Sequence, residues 1–292
     1  MEVTLLGTGD TTGTPTVGCD CATCQRATNP GEELREQLRE QGATVTGGGV
    51  ERTRFSVHVR NEQTDESLLV DFSPDFRRQF LREEVALPDA GIVTHIHFDH
   101  LDGLGNVYRL CDTLDVHAAD EADPVTGASV AETVADDYAY LDQVSVEPQS
   151  PFESFEVCGF DVQLVPVEHP PLLCYGLAIE EPQTGAKLSL SGDSSYDLSE
   201  QARATLADPD LFLADAIVPA HLCDYHPKGG RHHDDAGVAR TFGDKHMTRE
   251  GALSLAEQLG ADRTRLVHAS HFYPADEAFE QPLAVDGERY RL

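Results

Sequence analysis

Apolar positions recur with short periods along most of the chain, and those periods predict many short strands and a few helices. EVTLLG (2–7) reads as a strand that runs into the Gly-rich loop GTGDTTGTPTVG. A charged stretch at 31–41 has helical character and ends before the glycine break Gly47-Gly48-Gly49. RFSVHVR (54–60) and SLLVDF (67–72) read as paired strands around the turn NEQTDE, and SPDFRRQFLREE (73–84) opens on a Ser cap and continues as a helix. DAGIVTHIH (89–97) begins as a buried strand, HLDGLGNVYRL continues as a helix, and LDVHAA (114–119) is another short strand. A polar helix is predicted over 128–141, strands near 155–167, 175–181 and 187–192, a helix over 199–207 and a strand at IVPAH (217–221). Residues 222–247 form a polar, Gly- and His-rich stretch, which reads as a flap or insertion. A capped helix (248–260), the strand RTRLVHAS and a terminal hairpin around Asp286-Gly287 complete the pattern. Residues 1–292 therefore predict one domain of two sheets between helices, with no repeat and no linker.

Charge changes the range of partners. Fifty-two Asp and Glu stand against 21 Lys and Arg, for a formal net charge of −31, and only three of the cations are Lys. Such a surface repels phosphate backbones and disfavours extended nucleic acid. Acidity with so little Lys also fits a cytoplasm of molar salt, where the screening length falls to about 3 Å. The expectation is a halophilic, cytoplasmic protein. No apolar run is long enough to span a membrane, and the N-terminus lacks a basic, cleavable export signal.

Two clusters carry chemistry. Thr94-His95-Ile96-His97-Phe98-Asp99-His100 places four donors within six positions at a strand end. His and Asp are the ligands that zinc and similar ions prefer. On a strand end His95 and His97 point to one side, while Asp99 and His100, on the following turn, can reach a second ion. Cys19, Cys21 and Cys24 are too close in sequence to pair comfortably as disulfides, so three thiolates seeking a fourth ligand are the better reading. His58 and His117 sit in strands and read as structural, and His226, His232 and His233 read as solvated flap residues. His221, at the end of IVPAH, is open to facing the site.

With these residues in view, the sequence resembles the metallo-β-lactamase superfamily, whose signature is H-x-H-x-D-H after a buried strand. The resemblance implies an α+β fold, the αββα four-layer sandwich of two mixed β-sheets flanked by helices. It implies that His95, His97 and His169 bind one divalent ion, that Asp99, His100 and His268 bind a second, and that Asp193 bridges them. Asp71, in LLVDFSPD, resembles the Asp that steadies the histidine loop, although a cap for helix 73–84 reads nearly as well. The stretch GTGDTTGTPTVGCDCATCQRA resembles one branch, the phosphoribosyl cyclic phosphodiesterase of the carbon–phosphorus lyase pathway and its relatives. There, three Cys and a late His hold a structural Zn²⁺, which makes His271 the fourth ligand beside Cys19, Cys21 and Cys24. The branch's catalytic His opens a late helix in G-H-[ML]-[ST]. Here DKHMT matches, so His246 is the candidate acid, with Lys245 where the branch has Gly.

The resemblance thus implies hydrolysis of a small, perhaps cyclic phosphodiester by a metal-bridging hydroxide. The ions would be Zn²⁺ or Mn²⁺, Asp99, Asp193 and His246 would be catalytic, and the protein would be a homodimer. Two ions at +4 against Asp99, Asp193 and a hydroxide leave a pocket near +1, suited to a diester monoanion. Two alternatives stand beside it. One is an RNase like the tRNA 3′-processing endonucleases, which calls for a basic exosite. The other is a non-hydrolytic protein of cofactor biosynthesis, of the pyrroloquinoline quinone type.

Overall fold

A computed structural model describes residues 1–45, 49–107 and 110–292. Along the chain run β1 (Glu2–Gly7), α1 (Ala22–Thr28), α2 (Gly31–Glu40), β2 (Ser56–Arg60), β3 (Ser67–Val70), α3 (Phe76–Glu83), β4 (Ala90–Val93), α4 (Phe98–Leu101) and β5 (Leu114–Ala119). There follow α5 (Val130–Asp137), β6 (Val144–Gln149), β7 (Ser154–Val157), β8 (Phe160–His169), β9 (Leu172–Glu181), β10 (Ala186–Leu190), α6 (Glu200–Leu206) and β11 (Leu211–Asp215). The last are β12 (Gly230–Arg231), β13 (Thr241–Phe242), β14 (His246–Met247), α7 (Arg249–Leu259), β15 (Thr264–Val267) and β16 (Arg289–Arg291).

The strands build two large mixed sheets, in the orders β16-β1-β2-β3-β4-β5-β6 and β15-β11-β10-β9-β8-β7. Helices α3 and α5 pack on the first sheet, and α6 and α7 on the second, giving the αββα sandwich. Alternation along the strands decides which layer each side chain enters. In β11, Leu211 and Leu213 join the cluster between the sheets with Leu5, Val57, Val162, Leu177 and Ile179. Phe212 and Ala214 face the other way, into the cluster with Leu206, Leu255 and Leu259 of the helices. Each such buried aliphatic side chain contributes about 1.5–3 kcal/mol relative to exposure.

Parallel neighbours set up the site. In the first sheet β3, β4 and β5 run parallel, and in the second β10, β11 and β15 do. Asp71, the His95–His100 run, Asp193, Asp215 and His268 all lie at or just beyond the C-terminal ends of these strands. The turn carrying Asp71 packs against the residues after α4, where Gly103 admits no side chain. A Cβ there would sit 1.9 Å from the Ser73 carbonyl oxygen.

Several local expectations are corrected. IVPAH forms no strand. Ile217 donates to Met247, Val218 bridges Thr248, and a 3-10 turn starts at Ala220 directly after Pro219. The terminal hairpin is absent as well. β16 pairs antiparallel with β1, and Gly287 donates to Leu5. The strand placed at 155–167 is two strands, divided at Cys158-Gly159, where both residues have positive φ. α1 and β6 had no counterpart in the sequence reading. α5 is shorter than 128–141, closed at its start by a capping box between Ser129 and Glu132. The helix after His100 is one α-turn followed by a 3-10 turn to Val107, and Tyr108 and Arg109 of that stretch lie outside the described residues. Gly47 and Gly48 of the glycine break lie outside them too. Residues 220–247 hold the 3-10 turn and a small sheet in the order β12-β13-β14, which carries His246 beside the strand ends.

Candidate metal centre

Strand β4 delivers Thr94 and the buried His95, and the single turn of α4 swings Asp99 and His100 back underneath. His95 Nε2 lies 2.9 Å from His97 Nδ1, which lies 3.2 Å from His169 Nε2 at the end of β8. Asp193 Oδ2 lies 3.8 Å from His95 Nε2, 3.4 Å from His100 Nε2 and 3.2 Å from His268 Nε2. Asp99 Oδ2 is 3.7 Å from His100 Nε2 and 3.6 Å from His268 Nε2. The donors fall into overlapping groups, His95-His97-His169-Asp193 and Asp99-His100-His268, with Asp193 also beside His268 and His246.

These separations can be compared with what a metal requires. Four ligands at about 2.0–2.2 Å around a tetrahedral ion stand about 3.3–3.6 Å apart, close to the contacts above. His100 Nε2 and His268 Nε2 are buried without a hydrogen-bond partner, a costly state that a cation beside Asp99 and Asp193 relieves. Burial drives His169 down to about 3 and lowers His95 and His97, so these rings are held neutral, as ligation requires. His100 and His268 behave differently: against burial, Asp193 and Asp71 hold His100 well above its ordinary value. Burial opposes the charge of His268 too, yet Asp193, Asp99 and Asp215 push it up to about 9. The carboxylates there call for positive charge. The donor set fits divalent metal.

Asp71 is fully buried with φ +60°. Its carboxylate accepts from the Thr94 amide at 2.8 Å, from the Thr94 hydroxyl at 2.8 Å and from His100 Nδ1 at 2.6 Å. It therefore turns the other nitrogen of His100 toward Asp99 and Asp193. Helix α3 finds its start elsewhere, at Asp75.

Asp215 is the residue that the sequence reading missed. It ends β11, fully buried, and its Oδ2 accepts from His246 Nδ1 at 2.9 Å and from the Ser194 amide at 3.1 Å. The signal was present, because LFLAD ends a buried apolar run on an acid, as LSLSGD does. His246 stacks on His268 at 5.0 Å and meets His169 edge-on at 4.7 Å between ring centroids.

The second cluster also assembles. Cys19 and Cys21 Sγ each lie 3.5 Å from His271 Nδ1, and Cys24 Sγ lies 3.7 Å from it. A tetrahedral zinc with ordinary Zn–S and Zn–N bonds places S and N about 3.5 Å apart. Although burial opposes it, hydrogen bonds from the Cys24 amide and His271 pull Cys21 down to about 6. Cys21 also caps α1.

Other candidates stand apart. His221 and His233 are exposed, His226 packs on Phe242 at 4.5 Å, and His232 bonds Thr241 at 2.8 Å. His117 stacks on Phe155, and His58 is buried against Phe80. Among the described residues none of these joins a metal-competent group.

A family model described as a beta-lactamase superfamily domain matches residues 66–269, which include the His/Asp cluster, Asp215 and His246. Among solved structures, a diphosphatase from the PhnP family is 26% identical, covers 100% of this chain and 97% of its own, and superposes with a TM-score of 0.72. Zinc-bound PqqB from Methylobacterium extorquens shares the fold at 22% identity, 100% coverage of both chains and a TM-score of 0.71. Human tRNase Z, short form, shares it at 17% identity, 100% and 99% coverage and a TM-score of 0.63. An octanoyltransferase of Porphyromonas gingivalis is 26% identical over 274 residues, 94% of this chain. The chain spans about half the length, 47%, of that curated relative. No helix among the described residues is long and apolar enough to cross a membrane.

Proposed function

We propose that this chain, which belongs to the beta-lactamase superfamily, is a dinuclear hydrolase of a small phosphodiester, with phosphoribosyl 1,2-cyclic phosphate as the model substrate. The observation that carries the reading is the buried Asp215–His246 pair set against the His/Asp cluster. His95, His97, His169 and Asp193 would hold one Zn²⁺ or Mn²⁺, and Asp99, His100, His268 and the shared Asp193 the other. Such ions supply an acidified water and polarise phosphoryl oxygens. With ions bound, Asp99 and Asp193 would offset only part of their charge, leaving a pocket positive enough for a diester monoanion inside an acidic protein. Asp215 accepts from His246 Nδ1 and so fixes the ring with Nε2 free. As the P–O bond to the leaving group breaks, protonated His246 passes its Nε2 proton to the departing oxygen. Cys19, Cys21, Cys24 and His271 would hold a structural Zn²⁺ that ties the N-terminal loop to the segment after β15.

The net charge of −31 speaks against an extended RNA substrate, and a non-hydrolytic role leaves the Asp215–His246 pair without a task. Acyl transfer is not carried over from the octanoyltransferase, of which this chain matches less than half. The test is a metal-reconstituted screen of cyclic ribose phosphates, linear diesters, nucleotides and a tRNA precursor, run in low and high salt. Turnover of a small cyclic diester is expected. His246→Ala should keep its metals and lose about a hundredfold in kcat. Full activity in that variant, or preference for the tRNA precursor, overturns the reading. Light scattering in solution tests the homodimer that belongs to the same proposal.

A further inference from the structure

Asp215 uses its two carboxylate oxygens unequally. Oδ2 accepts from His246 Nδ1 at 2.9 Å, from the Ser194 amide at 3.1 Å and from the Met247 amide at 3.3 Å. Oδ1 is buried and, among the described residues, has no hydrogen-bond partner. It lies 3.8 Å from His268 Nδ1, which is equally buried and equally without a partner. An acceptor and a ring nitrogen thus face each other about 1 Å beyond hydrogen-bond length. Leaving both unmade is costly in a buried site, and a small rotation of the imidazole is enough to close the gap. The backbone holds the two residues in register. β11 and β15 run parallel with Asp215 opposite Val267, and His268 follows at φ +56°, a conformation uncommon outside glycine. The His246 and His268 rings stack at 5.0 Å with their planes 10° apart, and both present Nδ1 to the same carboxylate. From its far side His268 presents Nε2 to Asp193 at 3.2 Å and to Asp99 at 3.6 Å.

We propose that Asp215 is a positioning residue for His268 as well as for His246: Oδ1 takes the Nδ1–H of His268 and so leaves Nε2 unprotonated toward Asp99 and Asp193. This rests on the reading of His268 as a metal ligand and adds the group that sets its tautomer. Asp71 serves His100 in the same way from the other sheet, accepting from its Nδ1 at 2.6 Å. Each sheet then supplies one buried carboxylate behind the centre, and the one on the second sheet serves two rings.

Asp215→Asn separates the two duties. Its amide oxygen must sit where Oδ2 sits, because the Ser194 and Met247 amides donate there, so His246 keeps its acceptor. Its NH₂ group then meets His268 Nδ1, and that ring recovers a hydrogen bond only by moving its proton to Nε2. Zinc affinity of the His/Asp centre, measured on the full chain by competition with a chromogenic chelator, should fall about 10–100-fold in Asp215→Asn and less than about threefold in His246→Ala. Circular dichroism checks that the variants are folded. Proton–nitrogen correlation spectra of the zinc-loaded wild type, with isotope-labelled histidine, give a reading that needs no folded variant of Asp215. They should show His268 with Nδ1 protonated and slow to exchange with solvent, a signal assigned by its loss in His268→Ala. An unprotonated Nδ1 there overturns the proposal. So does unchanged zinc affinity in Asp215→Asn beside a loss in His268→Ala. Affinity that survives His268→Ala sinks the assignment of His268 as a ligand, and this proposal with it. The readouts involve no substrate, so the phosphodiesterase reading stands or falls separately.

Discussion

Replacing Asp71 by Asn separates the charge of that residue from its shape. Asp71 has φ +60°, a region that Asn tolerates well, so the backbone of the turn should be kept. The carboxylate now accepts three hydrogen bonds, from the Thr94 amide, the Thr94 hydroxyl and His100 Nδ1. An Asn oxygen can still accept from the Thr94 amide, and the Thr94 hydroxyl can turn to accept from the new amide group. His100 cannot stay as it is, because its Nδ1–H would face an N–H. The ring recovers a hydrogen bond by moving its proton to Nε2, the nitrogen that lies 3.4 Å from Asp193 and would ligate the metal. The metal-free variant should therefore lose only about 1–2 kcal/mol, since most bonds re-form. Metal affinity should fall by about 10–100-fold, the usual effect of losing a partner that orients a ligand. Asp71→Ala should cost more than Asp71→Asn in the metal-free protein, because it strands the Thr94 amide and His100 in a fully buried site. Competition titration with a chromogenic chelator measures affinity, and denaturant unfolding of the metal-free protein measures stability. Wild-type affinity for both ions in Asp71→Asn would refute the tautomer argument.

Three other outcomes are expected. Cys24→Ser should bind one fewer equivalent of zinc and unfold at least about 4 °C lower, read by elemental analysis and calorimetry; unchanged zinc content would count against the Cys₃His site. Burial holds His58 down at about 4, below its ordinary 6.5, so the unfolded chain takes up the proton first as pH falls. Its contribution, up to about 3 kcal/mol, is present above pH 6.5 and lost between 6.5 and 4. His58→Leu should flatten the stability–pH curve in that window relative to wild type, and an unchanged slope would show that His58 does not set it. Unfolding midpoints should rise between 0.1 and 1 M salt, as screening shortens from about 10 to 3 Å; a flat response would remove the case for salt adaptation.

The features most legible in the sequence are those in which chemistry and period coincide. The run from His95 to His100 announces both a strand end and a donor set, and the Cys trio announces a shared ligand. Elements defined by distant partners were not legible. β16 is three residues long and takes its place from β1, at the other end of the chain. β6 is half-exposed and contains Pro148, so its alternation is faint and a proline argues against a strand. α1 has seven residues and is capped by a thiol in place of the usual hydroxyl or carboxylate. LFLAD marks Asp215 as an acid at a strand end, but its role exists only once β14 brings His246 against it. Local pattern places the end of a strand, but it does not say what will arrive there from residues far along the chain.

The reach of the Cys₃His cluster across the chain also sets an order of events during synthesis. Cys24 and His271 are 247 residues apart, while the donors from His95 to Asp193 are all in place well before the last strand is made. At about 5–20 residues per second the N-terminal thiols wait roughly 12–50 s for their imidazole partner. Throughout that interval they are exposed to oxidants and to other metals. The ligands His95, His97, His169 and Asp193 are therefore all made before the thiol cluster can close, which must wait for His271.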